Sequence, residues 1–183
     1  MPNDGFAPPR RQFTSFLLAQ VGAHAAARFA ERLLPLGYMP HHAGILRMIS
    51  ASPGLSQQQL AKRLGIFASR LVAILDEMEK RGLLERLSSE NDRRVYSLQL
   101  TQRGHEALGE IAQVARQHQA DLCACLSEEE TAKLTEFLSR IAAQEGLQPG
   151  VHPGYARMSV SQKAEGDTPR NGPLNQDSPK RKP

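Results

Sequence analysis

"SQQQLAKRLGIFASRLVAILDEMEKRGLLERL", residues 56–87, decides the fold. Ser56 with Gln59 three positions on is a capping box, in which each side chain satisfies the other residue's backbone N–H. Gly65 stops the helix it starts after barely two turns. A second helix follows from about Ala68 to Arg81, with Leu71, Ile74, Leu75 and Met78 on one face and Gly82 as its stop. Two short helices across a glycine-containing turn form a helix-turn-helix.

Beyond Gly82 the apolar period changes from 3.6 to 2. "LLERL" reads as a strand, residues 88–93 as a hairpin loop and 94–100 as the return strand. Five polar residues, Glu90 to Arg94, lead into an alternating run with Tyr96, Leu98 and Leu100 on one side. A two-stranded hairpin is marginal alone. It is therefore expected to pack Leu84, Tyr96, Leu98 and Leu100 on the helices, as a wing.

The flanks read as long helices. Residues 1–12 are Pro/Gly-rich and expected to be flexible. A helix from Phe13 to Leu34 is ended by Pro35 and Gly37, within an N-terminal segment 13–38. Pro40 suits the first turn of a helix over 40–51, with Ile45, Met48 and Ile49 as its buried stripe. Thr101 caps a helix expected to reach Leu126, whose stripe Leu108, Ile111, Ala115, His118, Leu122, Cys125 reads as a seam for another long helix. Ser127 and Glu130 make a second capping box before an amphipathic helix bearing Leu134, Phe137, Leu138 and Ile141. The chain thus divides into a winged lobe, 39–100, between segments 13–38 and 101–146. The tail, 147–183, holds six of the twelve prolines and few large apolar residues and is expected to be disordered.

Composition narrows the function classes. The 183 residues are 40% hydrophobic and 23% charged, suited to a globular core, with no tryptophan and 5% aromatics. Of the net charge of +4, the body to Gly146 contributes +1 and the tail +3, so charge alone is weak evidence for nucleic acid. The most apolar run, "FLLAQVGAHAAARFA", is broken by Gln20, His24 and Arg28 and lacks a cleavage site, so a cytoplasmic location without membrane contact is expected. There is no phosphate loop, nucleophile elbow or recognisable acid pair, and no enzymatic activity is expected. No cofactor is expected either. His24, His41, His42, His105 and His118 lack the helical spacing with carboxylates of a zinc site, so no metal is expected. Cys123 and Cys125 are too close in sequence to staple the fold, and two positions apart on a helix they would point about 200° apart. Packing is favoured for them over an oxidation sensor.

"NDRRVYSLQLT", residues 91–101, and "LAKRLGI…LVAILDEMEKRGLLER", within 60–86, resemble the wing and helix-turn-helix of the MarR (multiple antibiotic resistance regulator) family. That resemblance implies a mainly α fold: a winged helix-turn-helix with a two-stranded β wing and long dimerisation helices at both ends. It implies a homodimer on double-stranded DNA, with a pseudo-palindromic operator, and a repressor released by a small aromatic or phenolic effector. Arg94 would enter the minor groove, oriented by Asp92, with Arg93 beside it. Phe67 stands where the family often has a small polar cap, and Ala73 where it often has arginine. Base contacts then fall to Ser69 and Arg70, with apolar contacts from Ala68 or Val72, and Ser56 joins the DNA-contacting set. An effector crevice between lobe and dimer helices would draw on His24, Arg28, Tyr38 and His42. The alternatives are an oxidation-sensing regulator of the same fold and a winged-helix protein-interaction module without DNA.

Overall fold

The computed structural model describes residues 13–88, 96–152 and 154–155. Its elements are α1 (Thr14–Leu33), a 3-10 turn (Leu34–Leu36), α2 (Pro40–Ala51), α3 (Gln57–Leu64), α4 (Ala68–Lys80), β1 (Leu84–Ser88), β2 (Tyr96–Leu100), α5 (Gln102–Leu122) and α6 (Glu128–Gln144). The expected fold class stands: a mostly helical chain with one two-stranded antiparallel sheet. No helix among the described residues is long and apolar enough to cross a membrane.

The local signals act as their chemistry requires. The Ser56 hydroxyl accepts from the Gln59 N–H at 3.2 Å, and Gln59 Oε1 accepts from the Ser56 N–H at 2.9 Å. Gly65 closes α3 at φ +66°, a conformation costly for any residue with a Cβ. Ser127 and Glu130 repeat the reciprocal cap at α6. Thr101 caps α5 by accepting from the Gly104 N–H and also donates to the Gly82 carbonyl, tying α5 to the end of α4. Gly104 itself is pressed on β1's entrance, where a Cβ would collide with the Leu83 carbonyl.

The core lies inside the winged lobe. Ile45, Leu46 and Ile49 of α2, Leu60 and Leu64 of α3, Leu71, Leu75 and Met78 of α4, and Leu84 and Leu98 of the wing are buried. Ile111 and Ala107 carry this core into α5, and Leu33 carries it into α1. β1 and β2 pair from Leu84↔Leu100 to Ser88↔Tyr96. The hairpin is also held on its other edge: Leu98 N–H donates to the Leu55 carbonyl at 3.0 Å, and Ser56 bridges Ser97. This third rung supplements the packing of the hairpin. Tyr96 departs from the expectation, being 46% exposed. It pairs with Ser88 at the outer end of the ladder, beyond the helices' reach.

Three other expectations are corrected. α5 ends at Leu122, not Leu126, so Cys123 is its C-cap and Cys125 lies in the following turn. The helical divergence argued for the two thiols therefore does not apply. The expected seam is also shared out. Ile111 is buried and Leu108, Ala115 and His118 are half-buried, packed against α1 and α2 of the same chain, whereas Leu122 is exposed. The tail does not lose structure at residue 147. Gly150, Val151 and Tyr155 contact the lobe, and Tyr155 is only 4% exposed.

Candidate nucleic-acid interface and crevices

α4 divides cleanly by face. Leu71, Ile74, Leu75 and Met78 point into the core, while Ala68, Ser69, Val72 and Ala73 are exposed and Arg70 is half-buried. No side chain caps its N-terminus, because Phe67 stands at the cap position with 54% of its surface exposed. The first N–H groups of α4 are thus left to an outside acceptor, and the helix dipole favours an anion there. Ser56 sits at the start of α3; its oxygen is spent on the cap, leaving its hydroxyl proton to give.

Arg86 joins the wing to α4. Its guanidinium donates to Asp76 at 2.6 Å and to Glu79 at 2.5 Å, with 17% of the side chain exposed. Spacing in the sequence could not single this residue out, since the partners meet only once β1 turns back along α4. Asp92, Arg93 and Arg94 lie outside the described residues.

The four candidate effector residues do not converge. His24 and Arg28 of α1 line a cleft of about 220 Å³ with Arg32, His118, Asp121 and Leu122. Arg32 donates to Asp121 at 2.6 Å, closing α1 on α5 and holding the carboxyl below its usual range. Burial, together with the charges of Arg32 and Arg28, keeps the His118 imidazole below its usual range. The cleft is mainly cationic.

Tyr38 and His42 do not line this cleft. The Tyr38 hydroxyl donates to Glu110 at 3.3 Å, and Arg81 lies 5.2 Å over its ring while donating to the Gly37 carbonyl. Burial, then the neighbouring Glu110 carboxylate, raises the Tyr38 phenol above its usual range. His42 is 1% exposed, not a surface or interface residue. Its Nδ1 accepts from the Met39 N–H at 3.1 Å, and Nε2 faces Glu77 at 3.4 Å. Glu77 in turn accepts from Arg81 at 3.2 Å.

His41, His42 and Glu77 form the only cluster of potential metal ligands among the described residues, with donor atoms within 4.8 Å of one another. The sequence pattern missed Glu77, which lies 35 positions away on α4. The donor set nonetheless suits a hydrogen-bonded network. Nδ1 of His42 is committed as an acceptor, so a neutral ring carries its proton on Nε2, aimed at the carboxylate. No lone pair remains there for a cation. Burial lowers the pKa of His41 to about 4 and also lowers that of His42.

A larger crevice of about 600 Å³ opens between α1, α2 and α5. Phe29, Leu108, Ile111 and Ala115 make it apolar, and Arg47 and Arg116 give it positive charge. Tyr155 forms part of its wall.

The model of the MarR family matches residues 36–95. A Thauera aromatica protein, proposed to regulate transcription of the hcr operon, is 35% identical over 113 residues, covering 62% of this chain and 68% of that protein. The transcriptional repressor CouR, solved on a 23-mer DNA duplex, is 30% identical with a TM-score of 0.64, covering 71% of this chain and 92% of that one. A MarR family protein of Mycobacterium tuberculosis, solved with salicylic acid, is 27% identical with a TM-score of 0.59, covering 72% of this chain and 97% of that one.

Proposed function

The chain is a MarR-family transcriptional regulator, and on that premise we propose that it binds double-stranded DNA as a homodimer and represses transcription until a small aromatic effector releases it. The observation that carries this reading is the exposed, uncapped N-terminal face of α4 beside the wing. A major groove about 12 Å wide admits one helix. Ser69 and Arg70 then reach base edges, Ala68 and Val72 meet thymine methyls, and the free N–H groups and Ser56 hydroxyl meet phosphates. Asp92 would brace Arg94 for the minor groove, with Arg93 adjacent; a braced arginine loses less entropy on binding. CouR, a relative at 30% identity, was solved on DNA, which supports the same partner here.

The crevice between α1, α2 and α5 is the favoured effector site. Its apolar walls suit an aromatic ring and its two arginines suit a carboxylate, and a relative was solved with salicylic acid. Release requires differential affinity: the ligand must prefer a lobe position that mismatches two half-sites. The cationic cleft at His24 and Arg28 is the second place for an anion. The chain acts in the cytoplasm and carries out no catalysis. Titration of the DNA flanking its own gene, at several salt concentrations and with and without salicylate, tests the proposal. Affinity for that DNA no higher than for random duplex would refute it.

A further inference from the structure

We propose that Phe67 is a specificity-determining residue: with Val72 it reads thymine 5-methyl groups in the major groove, so each operator half-site carries thymines where α4 enters. This rests on the reading of α4 as the DNA-reading helix and names what that helix recognises.

Phe67 and Val72 stand apart within the helix-turn-helix. Between Gln57 and Lys80 they are the only large apolar side chains left exposed, at 54% and 36%. For Phe67 that exposure carries two costs at one position. Its ring meets water, and the helix gives up the side-chain cap that a small polar residue would supply. Both costs are recovered when the ring meets an apolar group outside the chain.

The ring stands on a rigid mount. Ile66 before it is buried, and the Ile66 N–H donates to the Ala61 carbonyl at 3.2 Å. The Phe67 carbonyl accepts from the Arg70 and Leu71 N–H groups, both at 3.1 Å. The backbone is thus fixed on either side, and a fixed aromatic loses little entropy on binding.

Groove chemistry then selects the target. Phe67, Ala68, Ser69, Val72 and Ala73 are exposed at the start of α4, and Ser69 alone among them has a hydrogen-bonding side chain. Each base presents donors or acceptors in the major groove, and thymine adds a 5-methyl. An apolar chain gains contact from that methyl, whereas it leaves the polar edges of other bases unsatisfied. Val72 lies five positions beyond Phe67, about 7.5 Å along the helix, so the two chains meet different base pairs.

The test uses the full chain and the shortest duplex it protects in the DNA flanking its own gene. Symmetry-related thymines are replaced pair by pair with deoxyuridine, which removes the methyl and keeps the base pairing. One buried methyl is worth about fourfold in affinity, so a pair read in both half-sites should cost about sixteenfold. At one such pair Phe67→Ser should erase the discrimination between thymine and uracil, and Val72→Ala should reduce it at another. Phe67→Ser also supplies a capping hydroxyl, so its melting temperature should equal or exceed that of wild type, which separates a lost contact from a lost fold. If Phe67→Ser does not fold, Phe67→Leu takes its place and should discriminate less than wild type. A wild type indifferent to every uracil pair, or full discrimination at every pair in the Phe67 variant, would overturn the proposal and leave the regulator standing. Wild-type affinity for the flanking DNA no higher than for random duplex would refute both.

Discussion

Arg86 of β1 and Asp76 of α4 are joined at 2.6 Å, so the wing's first strand is clamped to the helix proposed to read DNA. The same guanidinium reaches Glu79, which fixes the planar group against two points on one helix. The clamp also pairs the Asp76 carboxylate, which is half-buried on α4, with a cation.

Arg86→Ala should therefore act twice. Loss of two charge-assisted bonds from a side chain that is mostly buried should cost about 1–2 kcal/mol of stability, discounted for partners that are themselves partly exposed. DNA affinity should fall further than stability explains, because wing and helix lose their fixed angle and Asp76 and Glu79 are left uncompensated. Denaturant titration beside DNA anisotropy checks both. An unchanged DNA affinity would show that the clamp is structural only.

Arg94→Ala is expected to weaken DNA binding by about 1–3 kcal/mol while leaving the fold intact. Asp92→Ala should do part of the same harm, although it removes a negative charge that ought to repel DNA. A gain in affinity for Asp92→Ala would show that Asp92 does not orient the arginine.

Most of the lobe was legible because its signals are local. Ser56 with Gln59, Gly65, Gly82 and Thr101 each act within a few residues of themselves, and the change of period after Gly82 marks the wing directly. What escaped depends on distant partners. Arg86 with Asp76, His42 with Glu77, and Tyr155 with His41 are pairs of unlike elements that meet only after packing. The packing of the tail's first residues escaped for a related reason: Tyr155 faces helical Gly44, a contact that the tail's proline content does not announce. Tyr38 and His42 are near His24 and Arg28 in sequence, yet beyond the turn at Gly37 they line no common cleft with them.

Acid should destabilise the protein through the paired histidines. His41 is held near 4, by burial first and by His42 and Arg70 as lesser causes, against the attraction of Glu77. Its folded pKa lies below its unfolded value of about 6.5, so the unfolded chain takes up a proton first as the pH falls. Stability is full above about 6.5 and is lost progressively toward 4. Between pH 7.5 and 5 the loss from His41 alone should be about 2 kcal/mol, with a further loss from His42, whose pKa burial also lowers. Melting curves across this range should show the slope, and His41→Gln should flatten it. A melting temperature independent of pH in this window would contradict the assignment.

Dimerisation is expected to be obligate and to run through α1 and α6. No residue of α6 is buried, although Leu134, Phe137, Leu138 and Ile141 form one apolar stripe along it. Phe13, Phe16 and Val21 at the start of α1 are each at least half exposed. Exposed apolar stripes of this kind mark protein–protein contact surfaces. A two-fold dimer would cover both stripes and set two α4 helices about one DNA turn apart, roughly 34 Å, so the operator should be a near-palindrome with half-sites about 10 bp apart. Leu122 lines the cationic cleft beside Arg32, so a charge there would find a partner; Phe137 offers the cleaner test. Phe137→Asp would bury an unpaired carboxylate at a cost of several kcal/mol and should abolish dimer and specific DNA binding together. Sedimentation of wild type and variant at low concentration, beside a footprint on the operator, decides it. A stable wild-type monomer that still protects both half-sites would refute the dimer.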